Sequence, residues 1–314
     1  MIPRLFVCLK LISCTLISLR SRLISAVVVA AALLVSAQAQ NEDVIRFNTD
    51  LVTVNVAVKD GKGRSLLGLK PQDFLITDEN NPVIPEFFES EGPASIIFVV
   101  DTSSSMSGSK WKSLIAGLKD ALKNASDGND YTLIAFSDSP QLLAKSVSAA
   151  QLLTLLLELK PNGNTALYDG MVLGFDVLKQ VPQRHRALVL ISDGEDSVSR
   201  LSLAEVEKEA SGCRSTIYSI GILLKDYCNH SKQKTCVGRD TISQLAKVTG
   251  GLAYFPKPEQ LSPVLKEISS DVRGQYSFSY YPPDKRPGWR EVRVAIGPTE
   301  RRPNLRYQQR YLMR

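Results

Sequence analysis

Five apolar residues at 96–100 run straight into Asp101, and four hydroxyl side chains follow at once in "IIFVVDTSSSM". Asp101, Ser103 and Ser105 alternate, so a turn can aim all three at one point, and Ser109 and Lys110 then open a helical pattern. A nucleophile, a phosphate cradle and a metal site all use such residues. Two distant segments offer partners. "PNGNTALYDG" sets Thr165 in a Gly/Asn-rich loop directly before a helix, and "LVLISDGEDS" puts Asp193 just past a buried strand. Carboxylate and hydroxyl oxygens from three loops make a hard donor set suited to Mg²⁺, Mn²⁺ or Ca²⁺, not to zinc.

The competing chemistries each lack a part. An aspartyl phosphatase places a second carboxylate two residues after the first, where this chain has Ser103. A serine hydrolase needs a base, and neither His185 nor His230, the only histidines, falls at a plausible strand end. "DTSSSMSGSK" holds one glycine and no G-x-x-x-x-G-K-S/T, so it is a poor phosphate cradle. A plainer alternative makes Asp101 a strand-end cap and its serines caps of the next helix. Thr165 and Asp193, at matching strand ends, outweigh it. His185, set among arginines before a strand, is expected at the surface, and Glu195 and Asp196 read as solvated loop acids.

These residues require a scaffold that brings strand ends together. Short apolar runs at 96–100, 131–136, 187–191, 216–222 and 252–255 alternate with helical patterns at 110–124, 149–159, 166–180, 203–210 and 241–248. A last helix is expected at 263–271. Strands apolar on both faces, alternating with amphipathic helices, predict an α/β fold with a doubly wound, mostly parallel sheet over 94–272. Such sheets bind ligands at the carboxyl ends of their strands, beside the topological switch point. On the N-terminal side, "LVTVNVAVKDGKGRSLLGL" alternates over 51–58 and turns at Asp60-Gly61, and "DFLITDENNPVIPEFF" supplies further short strands. Residues 44–91 therefore read as a small all-β unit. Alternation returns over 275–314 in "QYSFSYYPP", "WREVRVAI" and "NLRYQQRYLM", which are expected to pair with it.

Asp101-x-Ser103-x-Ser105, Thr165 and Asp193 resemble the metal-ion-dependent adhesion site (MIDAS) of a von Willebrand factor type A (VWA) domain, in order, strand-end placement and intervening lengths. The resemblance covers about 94–271. The flanks, "LVTVNVAVKDGKGRSLLGLKPQDFLITDENN" and "YSFSYYPP" with "WREVRV", resemble an exported bacterial family of VWA-related proteins first named from acidobacteria. Carried over by position, Ser103, Ser105 and Thr165 would hold a divalent cation through their hydroxyls, with Asp101 and Asp193 acting directly or through bound water. Mg²⁺ is the first expectation, with Ca²⁺ and Mn²⁺ as alternatives. So few carboxylates leave the cation positive enough to accept a Glu or Asp carboxylate from a protein partner. The implied function is non-enzymatic protein–protein adhesion. The alternatives are a structural envelope protein with a vestigial metal site and a metal-dependent phosphoesterase. Ser104 stands where the family often has Gly.

The 314 residues carry 38 basic and 32 acidic side chains, a formal +6. Arg4, Lys10, Arg20 and Arg22 fall in residues 1–39, which contain no acid, so the remainder is close to neutral. No basic stripe with interleaved aromatics is left, which argues against nucleic acid as a partner. The apolar run "LISAVVVAAALLV" at 23–35 is short for a membrane span, and Ala37-x-Ala39 follows. Residues 1–39 thus read as a signal peptide cleaved after Ala39, and as a membrane anchor only if uncleaved. The body is expected outside the cytoplasm, in the periplasm, at the cell surface or secreted. Cys228 and Cys236 bracket "NHSKQKT", where a disulfide would pin a polar loop. With His230 the same two cysteines give three zinc ligands, one short of a structural site. Cys213 reads as a buried small hydrophobe.

Overall fold

A computed structural model describes residues 51–223, 234–297 and 303–313, all within one compact unit, Asp50–Arg314. The expected signal peptide lies outside the described residues, and so do the side chains of Cys228 and Cys236. Among the described residues no helix is long and apolar enough to cross a membrane.

The described residues open with four strands, β1 (Val52–Lys59), β2 (Phe74–Asp78), β3 (Asn81–Pro82) and β4 (Phe87–Ser90). The α/β part follows: β5 (Ser95–Asp101), α1 (Ser109–Lys123), β6 (Asp130–Phe136), β7 (Pro140–Val147), α2 (Ala149–Glu158), α3 (Leu167–Lys179) and β8 (Arg186–Ser192). It continues through α4 (Leu203–Gly212), β9 (Thr216–Gly221), α5 (Lys234–Lys247), β10 (Ala253–Tyr254) and α6 (Leu261–Arg273). Four more strands close the chain, β11 (Tyr276–Tyr280), β12 (Gly288–Ile296), β13 (Asn304–Arg306) and β14 (Arg310–Met313).

Six strands in the order β10-β9-β8-β5-β6-β7 make the central sheet, parallel except for β7. The period of two along β5 sends its side chains into two cores. Ile96, Phe98 and Val100 pack with Leu114 and Leu118 of α1, Leu152 and Leu156 of α2, and Leu265 and Ile268 of α6. Ile97 and Val99 pack on the other face with Met171 and Phe175 of α3, Val206 of α4, and Ile242 and Leu245 of α5. Helices therefore cover both faces, as the doubly wound reading expects. The chain leaves β5 toward β6 and later returns to the other side of β5 at β8. This places the topological switch point between the carboxyl ends of β5 and β8.

Chain ends combine in the all-β part. One sheet runs β13-β1-β11-β4 and another β14-β12-β2-β3, and they share a core that includes Val54, Val56, Phe74, Ile76, Phe278 and Val292. Asp78, fully buried there, is satisfied by Arg290 Nε at 3.0 Å and by the hydroxyls of Tyr311 at 2.7 Å and Tyr280 at 3.2 Å. The two crossings between this sandwich and the α/β part lie side by side, since Gly92 N donates to Arg273 O at 3.2 Å.

Several expectations are corrected. β1, read as half-buried, is buried on both faces apart from Thr53 and Lys59, because one face packs in the sandwich core and the other is covered as well. His185, expected at the surface, is 5% exposed. Its ring lies so close to Gly92 that a Cβ there would sit 2.7 Å from it. The arginines around it act as anchors: Arg184 pairs with Glu89 at 2.8 Å, and Arg186 Nε donates to Ser215 at 3.0 Å. β7 had no counterpart in the sequence reading, and α5 begins well before 241. "NLRYQQRYLM" is two strands in different sheets, because the chain breaks at 307–309 to change layer.

Candidate metal site

Asp101 ends β5 and is completely buried. Its Oδ1 accepts Ser103 N at 2.9 Å, which fixes the turn, and its Oδ2 accepts the Ser192 hydroxyl at 2.6 Å. Ser192 is the last residue of β8, so the two strands flanking the switch point are clasped side chain to side chain. A single 3₁₀ turn, Ser104–Met106, follows, anchored by the buried Met106. It sets the hydroxyls of Ser103 and Ser105 3.0 Å apart. Ser105 is exposed and Ser103 buried, so the pair leads from solvent to the carboxylate. Burial pushes the Asp101 carboxyl up to about 6, opposed by hydrogen bonds from Ser103 and Ser192 and reinforced by the nearby charge of Asp193. A cation would favour the ionised form that burial disfavours.

Backbone bonds tie the other two loops to this turn. Gly163 O accepts Ser104 N at 3.0 Å, and Asn162 N donates to Thr102 O at 2.8 Å. Gly163 has φ +77°, a left-handed conformation that lets the loop double back. Thr165, two residues on, is 5% exposed. Its backbone bonds the β8 loop in both directions, with N to Ser197 Oγ at 2.9 Å and O from Ser197 N at 2.8 Å. Asp193 follows β8 directly and is 6% exposed. Its Oδ2 accepts Lys110 Nζ at 2.8 Å, and its Oδ1 accepts Glu195 N at 3.4 Å. Gly194 has φ +84°, and a Cβ there would fall 2.2 Å from Gly238 O, so α5 closes over this turn.

All five expected residues thus lie on one edge of the central sheet, in loops bonded to one another. Asp101, Ser103 and Ser105 form a directly bonded set, while the Asp193 turn joins through Gly194 N, which donates to Ser192 Oγ at 3.0 Å, and Thr165 through its loop backbone. Sequence reasoning missed Ser192 and the partnership of Lys110 with Asp193. A hydroxyl at the very end of the neighbouring strand was the available signal for Ser192. Asp196 is corrected: it is half-buried, and its Oδ1 accepts Tyr168 N at 3.3 Å and the Ser199 hydroxyl at 2.5 Å, so it caps the start of α3. Glu195 is exposed.

The donor set fits a hard divalent cation. Among the described residues no three His, Cys, Asp or Glu side chains converge as a metal cluster, so a cation here would rely on hydroxyls beside two carboxylates. Cys213 is buried at the end of α4, and burial raises its thiol to about 12, which keeps it protonated and inert.

Residues 96–195 match the family model described as von Willebrand factor type A domain. The inter-alpha-trypsin inhibitor heavy chain H2 of Sus scrofa is 24% identical over 197 residues, which is 53% of this chain and 21% of that protein. Heavy chain H4 of Homo sapiens is 25% identical over 227 residues, 64% of this chain and 23% of that protein. The chain thus spans about a fifth of the length of the curated relatives it matches. Among solved structures, a von Willebrand factor type A protein from Catenulispora acidiphila is 13% identical, with 85% of this chain and 74% of that chain covered and a TM-score of 0.47. The three N-terminal domains of the type V pili tip protein Mfa5 from Porphyromonas gingivalis are 13% identical, with coverage of 69% and 55% and a TM-score of 0.46.

Proposed function

From the premise that residues 96–195 form a von Willebrand factor type A domain, we propose that the chain is an exported, non-enzymatic binding protein that engages a partner protein through a divalent cation. Ser103, Ser105 and Thr165 would hold the ion by their hydroxyls, and Asp101 and Asp193 directly or through water. Mg²⁺ is the first candidate, with Ca²⁺ and Mn²⁺ as alternatives. The bound ion supplies an electrophilic centre that a Glu or Asp carboxylate of the partner completes. Residues 1–39 would direct export.

The observation that carries this reading is the Asp101 turn: a buried carboxylate oriented by Ser103 N and Ser192, with the Ser103 and Ser105 hydroxyls 3.0 Å apart at the switch point. The non-enzymatic part rests on what surrounds it. Position 103 is a hydroxyl where a phosphatase would want an acid. His185 precedes β8, a whole strand of about 20 Å from Asp193 at the other end.

A second reading, a structural envelope protein with a vestigial metal site, is favoured by Lys110, whose ammonium already neutralises Asp193. Thermal unfolding separates the two. Mg²⁺ at a hundredfold excess over its Kd should stabilise the wild type by about 2.7 kcal/mol, and Asp101→Ala should abolish the shift. Partner capture from an envelope extract should then fail with chelator and with Asp101→Ala. A midpoint indifferent to Mg²⁺ and chelator, with capture unaffected by either change, leaves the structural reading standing.

A further inference from the structure

The cation reading gives Lys110 no role, yet its position is unusual. It is the second residue of α1, where the helix dipole disfavours positive charge. It is 14% exposed, and its Nζ lies 2.8 Å from Asp193 Oδ2. Asp193, 6% exposed, is among the residues that would hold the ion. A carboxylate engaged by an ammonium at that distance has one oxygen occupied, and a divalent ion close by would repel the ammonium. The lysine also lines a cavity of about 100 Å³ shared with Ser113, Ile222, Pro258 and Leu261, so its head group has somewhere to go. Lys257 lines the same cavity and adds a second positive charge, which makes that space costly for an ammonium.

We propose that Lys110 is a built-in counter-cation for Asp193: it occupies the carboxylate until a divalent ion displaces it, and so sets the ion concentration at which the site fills. The inference rests on the cation reading above. It goes further by assigning a threshold-setting role to a residue outside the ligand set. Without divalent ion, the lysine neutralises one of two buried carboxylates. With the ion present, its head group moves toward the cavity, and the lost ion pair is subtracted from ion affinity.

Calorimetric titration with Mg²⁺ and thermal unfolding of the full chain test this in wild type, Lys110→Met, Lys110→Gln and Lys110→Arg. Met and Gln keep the packing but remove the charge, and either suffices if the other fails to fold. The neutral variants should bind Mg²⁺ about tenfold more tightly than wild type, the scale of one close charge pair. They should melt below wild type in chelator and close that gap in saturating Mg²⁺. Lys110→Arg should stay near the wild-type affinity. Neutral variants that bind Mg²⁺ equally or more weakly than wild type overturn the proposal while leaving the cation reading intact. If wild type and neutral variants alike show no Mg²⁺ response, indistinguishable from Asp101→Ala, both fall.

Discussion

At the scale of single residues, the candidate site depends on two kinds of side chain that the sequence reveals unequally. Asp101, Ser103 and Ser105 announce themselves, because alternation on a strand-to-turn segment has a direct geometric meaning. Gly194 is less conspicuous and just as constrained. Its φ is +84°, and Gly238 O lies 2.2 Å from where a Cβ would stand, which leaves no room for a side chain. Gly194→Ala should therefore cost about 3 kcal/mol in urea unfolding, and a loss below about 1 kcal/mol would show that the Asp193 turn can shift freely. Lys110 was hidden for a different reason. Its partner lies 83 residues away, and a lone charge at a helix start carries no sign of which carboxylate it meets.

At the scale of elements, α6 joins the two parts of the molecule through one acid. Asp271, 3% exposed, pairs with Lys59 of β1 at 2.6 Å and with Arg306 of β13, and accepts the hydroxyl of Tyr218 of β9. Burial alone would raise its carboxyl, but Arg306 and Lys59 hold it below the ordinary value. Asp271→Asn leaves both cations without a counter-charge and should destabilise the fold by about 3 kcal/mol in chemical denaturation. A change within about 0.5 kcal/mol would mean the cluster is a solvated surface pair. The elements themselves were largely legible. The strongly apolar runs at 96–100, 131–136 and 187–191 became β5, β6 and β8, because strands covered on both faces have little freedom in composition. β7 was missed because "PQLLAKSV" opens with proline and lies at an exposed edge, where burial imposes no pattern. The early start of α5 was missed because "KTCVGRD" has no apolar period.

For the whole molecule, pattern in the sequence indicated that the chain ends would share a β layer, but not what that layer would cover. A strand with one polar face reads as half-solvated unless something packs on it, and here something does. His185, packed against Gly92, is buried too. Its imidazole is held below 6.5 by burial, against the pull of Glu89. The folded state therefore prefers the neutral ring, while the unfolded chain takes up a proton as soon as pH drops below about 6.5. The His185 contribution should be complete above that pH and be lost as pH falls toward 5, against the opposite slope of Asp101, whose raised carboxyl gains stability on acidification through about 6. His185→Gln should shift the pH slope of urea midpoints between about 7.5 and 5 toward greater stability at the acid end, and a slope equal to wild type would show that His185 contributes nothing to it.

The single hydrogen bond from Gly92 N to Arg273 O has a consequence of its own. It joins the way into the α/β part and the way out of it, at the amino ends of the central strands, with Asp101 and Asp193 at the far ends. A segment whose two ends already touch behaves as a cassette: it can be excised, closed on itself with a short linker, or transplanted to another scaffold without stretching its backbone. The candidate site would travel with it, since among the described residues the hydrogen bonds of the Asp101, Thr165 and Asp193 loops stay within the α/β part.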